Sequence, residues 1–258
     1  MRALNVSTRL PVGTGDNAMI AGFIITGNAS KLVVLRGMGP SLAAFGISDI
    51  LVDPMLELRD ENGILIRAND DWKSLQRGQI EGTVFQPGDD RESVIVETVA
   101  PAAYTGVLTG KNNTKGIGLI ELYDNGRDSD SQLANISTRG FVQSGNDVMI
   151  GGFILGGNPN TRIAVRGIGP SLSQFGLSNV LADPTLELHD ANGATLVAND
   201  NWADDTASAA QLTANGLALS SPKESGIFIT LPAGQFTAIL AGKNGGVGIG
   251  LVEVYNIP

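Results

Sequence analysis

The chain consists of two similar copies of one sequence, and this duplication constrains its fold more than any other feature. Residues 5–9 return at 135–139, and Arg36-Gly37-Met38-Gly39-Pro40-Ser41-Leu42 returns at 166–172. From position 5 to 72, 35 of 68 positions match the residue 130 places later, without a gap. Beyond Trp72 the shift becomes 132, so that Tyr123 aligns with Tyr255. Each copy is about 120 residues long, which is enough for a core of its own.

The duplication predicts two domains joined by a short linker. The polar stretch between the copies consists largely of Asp, Ser, Gly and Asn, and it is too short to let them move far apart. We predict a first domain over 1–124, a linker over 125–132 and a second domain over 133–258.

Within each copy, short apolar runs alternate with turn residues, as is typical of strands. In copy one, Asn62-Gly63 predicts a hairpin turn after the alternating segment 56–59. Pro40–Phe45 predicts one helical turn that ends at Gly46, and 204–214 predicts a short helix in copy two. The predicted fold is all-β: two tandem jelly-roll-like β-sandwich domains from an internal duplication. The eight strands predicted in copy one are 5–9, 19–26, 32–38, 56–59, 64–67, 92–99, 104–109 and 117–123.

Composition narrows the classes of partner. The formal net charge is -9, which disfavours nucleic acid and anionic lipid. There is no Cys, so disulfides and thiolate chemistry are excluded. The first nine residues lack an apolar signal core, and no apolar run predicts membrane insertion. We expect an extracellular or cell-surface protein, represented by a mature chain or a fragment without its signal peptide.

The second half of each copy resembles the bacterial pre-peptidase C-terminal (PPC) domain, a jelly-roll module of secreted enzymes. In copy two the resemblance rests on 186–193, Asn199-Asp200, Glu224-Ser225, 231–237 and 248–255, in that order. The first half, with Arg-Gly-x-Gly-Pro-Ser-Leu, is more similar to repeated modules near the C-termini of large secreted bacterial proteins. The resemblance implies a secreted, non-catalytic accessory or surface module, in some cases calcium-binding.

Oxygen-bearing side chains recur in and after the predicted hairpin. Calcium takes six to eight oxygen ligands, so one interpretation is a calcium site in each copy. The other is an ordinary turn, in which Asx side chains bind nearby backbone amides, and we favour it. The calcium candidates are Asp60, Asn62, Asn69, Asp70 and Asp71, with Asp190, Asn192, Asn199 and Asp200 in copy two.

Trp72 and Trp202 directly follow these polar segments. An exposed Trp beside carboxylates is a candidate stacking platform for a sugar. The alternative, which we favour, is a Trp that closes the end of a sandwich core.

Charged residues recur on apolar strands: Arg36 and Glu57 in copy one, Arg166 and Glu187 in copy two. We predict structural ion pairs, because neither a guanidinium nor a carboxylate tolerates isolation in a half-buried position. The sole histidine, His189, has no Gly-x-Ser-x-Gly elbow to complete a catalytic triad. We therefore predict no catalytic residues and no enzyme.

Two functions remain in competition. The first is a non-catalytic extracellular structural or interaction protein, self-assembling into a surface layer or filament through its terminal strands. The alternative is an accessory carbohydrate- or protein-binding module of a secreted enzyme, with a polysaccharide or surface protein as its partner and with or without a dependence on calcium. Exposure of the two tryptophans favours the alternative, and their burial favours the first.

Overall fold

The computed structural model describes residues 2–126, 130–156 and 160–257, and its architecture is an all-β sandwich, as predicted. Copy one contributes β1 (Arg2–Val12), β2 (Met19–Gly27), β3 (Lys31–Met38), β4 (Pro54–Asp60), β5 (Leu65–Asn69), β6 (Ser93–Val99), β7 (Ala103–Gly110) and β8 (Gly116–Asp124). Copy two contributes β9 (Ser131–Val142), β10 (Met149–Gly156), β11 (Thr161–Ile168), β12 (Pro184–Asp190), β13 (Thr195–Asn199), β14 (Ser225–Leu231), β15 (Gly234–Gly242) and β16 (Gly248–Ile257). The prediction of eight strands per copy is confirmed.

Helix is confined to short segments. A 3-10 turn spans Pro40–Phe45, where the Pro and the following Gly predicted it, and its equivalent spans Pro170–Phe175. In copy two, α2 (Thr206–Ala214) begins after Asp205, whose carboxylate accepts the amide N–H groups of Ala207 and Ser208. The helix predicted there is confirmed. The corresponding loop of copy one forms only α1 (Arg77–Ile80).

The strands form two antiparallel sheets of eight that pack face to face. One has the order β13-β12-β15-β10-β1-β8-β3-β6, and the other has the order β14-β11-β16-β9-β2-β7-β4-β5. Each sheet therefore takes four strands from each copy. The copies share both sheets instead of forming the two separate sandwiches that the sequence predicted.

Two equivalent strand pairs join the copies. Ser7 of β1 lies opposite Gly152 of β10, and Ser137 of β9 lies opposite Gly22 of β2. These pairs exchange when 130 is added to the residue numbers of copy one, so the copies are related by a pseudo-two-fold axis. The two glycines fit this junction because a Cβ at Gly22 would lie 2.7 Å from Ser137 Oγ, and one at Gly152 would lie 3.0 Å from Ser7 Oγ.

The axis runs along β1 and β9, which face each other across the sandwich. Thr8 and Thr138 share a buried hydrogen bond of 2.8 Å between their hydroxyl oxygens. Two residues further on, a Cβ at Gly140 would lie 2.1 Å from Leu10 Cδ1. Because equivalent residues meet at both levels, the axis is parallel to the strands, and equivalent loops of the two copies lie at the same end of the sandwich.

The core follows this shared architecture. The main cluster combines residues of both copies, among them Phe23, Leu35, Phe153 and Val165. Two smaller clusters cover outer sheet faces, one around Trp72 and Ile80 in copy one and one around Leu212 in copy two.

The junction between the copies is shorter than predicted, because β9 already begins at Ser131. Its start is anchored by a fully buried ion pair, Lys31 Nζ to Asp124 Oδ1 at 3.0 Å. Lys31 Nζ also donates to the carbonyl of Gly126 at 3.4 Å, and Gly126 N–H donates to Asp124 Oδ1 at 3.2 Å. Residues 127–129 of the predicted linker lie outside the described residues.

The terminal strands are interior strands, which corrects the route predicted for self-association. β1 is paired with β8 and β10, and β16 is paired with β9 and β11. Neither strand has a free edge for another chain, because its backbone groups are already paired on both sides. Both strand pairs that join the copies are formed within one chain.

Candidate functional site

The Gly-Pro-Ser motif forms a rigid turn over a buried carboxylate. Glu92 is 0% exposed, and its Oε1 accepts hydrogen bonds from Gly39 N–H (3.0 Å), Ser41 N–H (2.9 Å) and Ser41 Oγ (2.6 Å). Gly39 is required because a Cβ there would lie 1.9 Å from the carbonyl oxygen of Leu51. In copy two, Glu224 binds Gly169 and Ser171 in the same way. A buried carboxylate with several donors fixes each turn in place.

Each fixed turn presents a phenylalanine to solvent. Phe45 is 81% exposed and Phe175 is 80% exposed, although phenylalanine is among the residues most often buried in protein cores. They occupy equivalent positions, so they lie at the same end of the sandwich, which we call the turn end. Gly46 and Gly176 follow them with positive φ angles of 76° and 80° and terminate the turns. Sequence reasoning missed this pair, although each lies in an aligned segment directly before a turn-ending glycine.

A pocket of about 350 Å³ opens at the same end, between the copies. Its apolar wall includes Pro11, Val12 and Ile117 of copy one and Phe141 of copy two. The polar side chains around it are Asn17, Asp49, Lys115, Gln143 and Asp147. The sequence did not predict this pocket, because its lining residues come together only when β1 and β9 meet.

The predicted calcium ligands are divided between opposite ends of one hairpin. Asp60 lies at the tip and Asn69, the last residue of β5, lies at the base, which places them roughly 13 Å apart at the rise of a strand. Asp60 Oδ1 accepts the amide N–H groups of Asn62 (2.9 Å) and Ile64 (2.8 Å), which is the turn geometry that we favoured. In copy two, the amides of Ala194 and Asn192 hold the pKa of Asp190 below its usual value.

Other protein groups contact four of the remaining candidates, at the base of the hairpin. Asn69 Oδ1 accepts from Val94 N–H at 2.9 Å, and Asp70 Oδ2 lies 2.6 Å from Lys111 Nζ. Asn199 and Asp200 repeat both contacts, with Gly226 N–H and Lys243 Nζ. Burial, and next the neighbouring charge of Asp70, raises the pKa of Asp71. Among the described residues, no three His, Cys, Asp or Glu side chains are grouped to hold a metal ion. The candidates at the tip and at the base of the hairpin therefore do not form one site.

The tryptophans are packed against sheet faces. Trp72 is 1% exposed and packs with Val34, Ile80 and Val94 on the outer face of a sheet, rather than at the end of the central core. Trp202 is partly buried against the equivalent cluster of copy two. Trp72 therefore offers no ring face to a ligand. This finding contradicts the interpretation of Trp72 as a stacking platform.

The charged strand residues form ion pairs with partners on the same or neighbouring strands. Arg36 Nη1 lies 3.0 Å from Glu121 Oε2 across β3 and β8, and Arg166 pairs in the same way with Glu253. Burial raises the pKa of Glu121, and the Arg36 guanidinium acts in the opposite direction. The arginines thus pair with Glu121 and Glu253, and not with Glu57 and Glu187.

Those two glutamates have local partners. Glu57 Oε2 lies 2.6 Å from Arg59 Nη2, and Glu187 Oε2 lies 2.9 Å from His189 Nε2. The other ring nitrogen of His189 lies 3.2 Å from the carbonyl of Gly193, at the hairpin turn.

Within the ranges described, no helix has both the length and the apolar character needed to span a membrane.

Comparison with known proteins gives no family for the chain. No family model matches it, and no curated protein matches it. A DUF4785 family protein from Legionella pneumophila is 8% identical, with 96% of this chain and 83% of that chain covered and a TM-score of 0.24. PNGase F from Flavobacterium meningosepticum is 11% identical, with 99% and 96% covered and a TM-score of 0.24. At such scores neither similarity bears on fold or function.

Proposed function

We propose that this protein is a non-catalytic interaction module of the extracellular space or cell surface, and that it binds its partner through the turn end. The observation that carries the proposal is the exposure of Phe45 and Phe175 at equivalent positions on one end. The resemblance of each second half to PPC domains supports the same class of module.

Energetics favour contact at these two side chains. Full burial of a phenylalanine side chain is worth about 1.5–3 kcal/mol relative to leaving it in water. Aromatic residues on rigid supports also lose little conformational entropy on binding, and they are enriched among the residues that dominate interfaces. Glu92 and Glu224 supply that rigid support from beneath each turn.

Self-association is the first interaction to test, because it requires no other molecule. The free sheet edges in the described part of the chain are β5, β6, β13 and β14. On the edge strand β5, Arg67 pairs with Glu97 of β6 at 2.6 Å, so this side of the sandwich is bridged by charges. A short, charged edge such as β5 disfavours further strand pairing. The turn end, with its uncovered aromatic rings, offers a better contact surface than that edge.

The test is sedimentation velocity of the 258-residue chain over a range of concentrations, beside Phe45→Ser/Phe175→Ser. We expect association that grows with concentration in the unmodified chain and is lost in the double variant. Both side chains are exposed, so the variant keeps the melting temperature of the parent.

A matched control removes apolar side chains elsewhere on the surface. Leu75 is 62% exposed and Val84 is 85% exposed, both in the copy-one loop that follows Trp72. Leu75→Ser/Val84→Ser should leave association unchanged. A chain that stays monomeric at all concentrations, or equal losses in the two double variants, contradicts self-association through the turn end.

A further inference from the structure

The pocket between the copies has its loops fixed by backbone hydrogen bonds. Gly13 N–H donates to the carbonyl of Asn17 at 2.8 Å, and Gln143 N–H donates to that of Asp147 at 3.1 Å. Ile117 N–H donates to the carbonyl of Asp49 at 2.7 Å. The backbone of the lining loops is therefore fixed before any ligand arrives, which reduces the entropy that ordering these loops would cost.

The polar side chains around the pocket are free. Within the part of the chain that the structure describes, none of the five makes a hydrogen bond or ion pair with another residue, although their backbones are held. They comprise two carboxylates, two carboxamides and one ammonium group. A pocket of about 350 Å³ with an apolar wall and several polar side chains in its lining has the size of a small-molecule site, for which volumes of ~300–1,000 Å³ are typical.

The polar set indicates the chemistry of the ligand. Carboxylates and carboxamides are planar groups that accept, or both accept and donate, pairs of hydrogen bonds, and so they match adjacent hydroxyl groups. Phe141 and Pro11 provide apolar surface for the C–H face of a ring. Two carboxylates against one ammonium disfavour a phosphate or an acidic sugar. We propose that this pocket binds a neutral sugar, as a single residue or a short segment of a glycan.

The pseudo-two-fold axis relates this pocket to an equivalent position in copy two, but two charged residues of the pocket are present only in copy one. Asp49 corresponds to Asn179, and Lys115 corresponds to Val247, so the equivalent position in copy two lacks both charges. Asp49 and Asn179 share a left-handed backbone, with φ angles of 54° and 56°. Asp49→Asn and Lys115→Val therefore place into copy one the residues that the same fold already accommodates in copy two.

The pocket is not lined by either of the two exposed phenylalanines. The proposal of sugar binding can therefore be tested independently of the function proposed for them. The test is isothermal titration of the full chain with glucose, galactose, mannose, N-acetylglucosamine, cellobiose and maltose. Glucuronic acid and glucosamine serve as charged comparisons. We expect one-to-one binding of at least one neutral sugar, weakened about tenfold or more by Asp49→Asn/Lys115→Val. Amide signals of Gly13, Asn17 and Gln143 should shift in a nitrogen-proton NMR spectrum on titration.

The matched control is Asn179→Asp/Val247→Lys, which places the same charges in copy two and should leave the affinity of the first site unchanged. All variants are first checked for an unaltered melting temperature. Three results overturn the proposal: no neutral sugar binds at concentrations of tens of millimolar, a charged comparison binds more tightly than every neutral sugar, or the control weakens binding as much as the pocket variant.

Discussion

Thr8 and Thr138, the same residue of the two copies, hydrogen bond to each other across the pseudo-two-fold axis at 2.8 Å. Both are 1% exposed, so neither hydroxyl has access to water, and one hydroxyl donates to the other. A contact between equivalent residues is expected only where a symmetry axis passes between them. It identifies the junction of the copies as part of the core, and the first prediction concerns this junction.

Leu10 and Gly140 are equivalent residues of the two copies, and they meet at the axis two residues beyond the threonines. Leu10 occupies the space that a side chain at Gly140 would need, since a Cβ there would lie 2.1 Å from Leu10 Cδ1. Gly140→Ala should therefore destabilise the protein by about 1–3 kcal/mol through overpacking, and Leu10→Ala by about 2–5 kcal/mol through the cavity it leaves. Urea unfolding measures both. The exchange Leu10→Gly/Gly140→Leu should recover most of the loss, and a stable Gly140→Ala contradicts the packing described here.

The buried glutamates under the turns should matter equally in both copies. Glu92→Gln and Glu224→Gln each replace a carboxylate that accepts backbone N–H and Ser hydroxyl donors. We expect a loss of about 1–3 kcal/mol from each, because the charge-assisted bonds weaken and an amide N–H₂ meets N–H donors. Chemical unfolding measures the change. Glu81→Gln, at an exposed ion pair with Arg77, is the control and should destabilise the protein much less than either buried substitution.

The three tyrosines should make the folded protein less stable at strongly alkaline pH. Burial raises the pKa of Tyr104, Tyr123 and Tyr255, that of Tyr255 to about 12. A folded-state pKa above the unfolded value means that the folded chain holds the proton more tightly. Stability is therefore unaffected by these groups below about pH 10 and falls as the pH rises towards 12. Ultraviolet titration of phenolate should show no native tyrosine ionising at its ordinary pKa, and Tyr255→Phe should remove the last step.

The control for this titration is the same measurement in concentrated urea, where all three groups should ionise at about pH 10. Three ordinary pKa values in the native protein would contradict the burial of these rings.

Calcium should leave the melting temperature unchanged. A metal that binds only the native state raises this temperature, but the oxygen ligands predicted from the sequence lie at opposite ends of the hairpin β4–β5. Differential scanning calorimetry in millimolar calcium and in chelator should give coincident curves. An increase of several degrees that disappears in Asp70→Asn/Asp200→Asn would show that the base of the hairpin binds the ion after all.

The local features of the fold could be predicted from the sequence because their causes are local. Alternation of apolar residues predicted β4, and Asn62-Gly63 predicted the turn that follows it. The 3-10 turn at Pro40–Phe45 follows from a proline at its start and a glycine after its end. The hairpin candidates for calcium failed for a reason that is not local, since proximity along the sequence placed Asp60 and Asn69 together and the strand between them holds them apart.

The duplication itself, the eight strands of each copy and their turns were determined by the sequence alone. Only the tertiary structure decided that β1 pairs with β10 and β2 with β9, that Phe45 and Phe175 point into solvent, and that a pocket opens between Asp49 and Asp147. The physical reason is that an unpaired strand edge satisfies its hydrogen bonds equally well with any strand of suitable pattern. The two copies share one strand pattern, so each edge has two such partners, and long-range packing at Thr8, Leu10 and their equivalents selects between them.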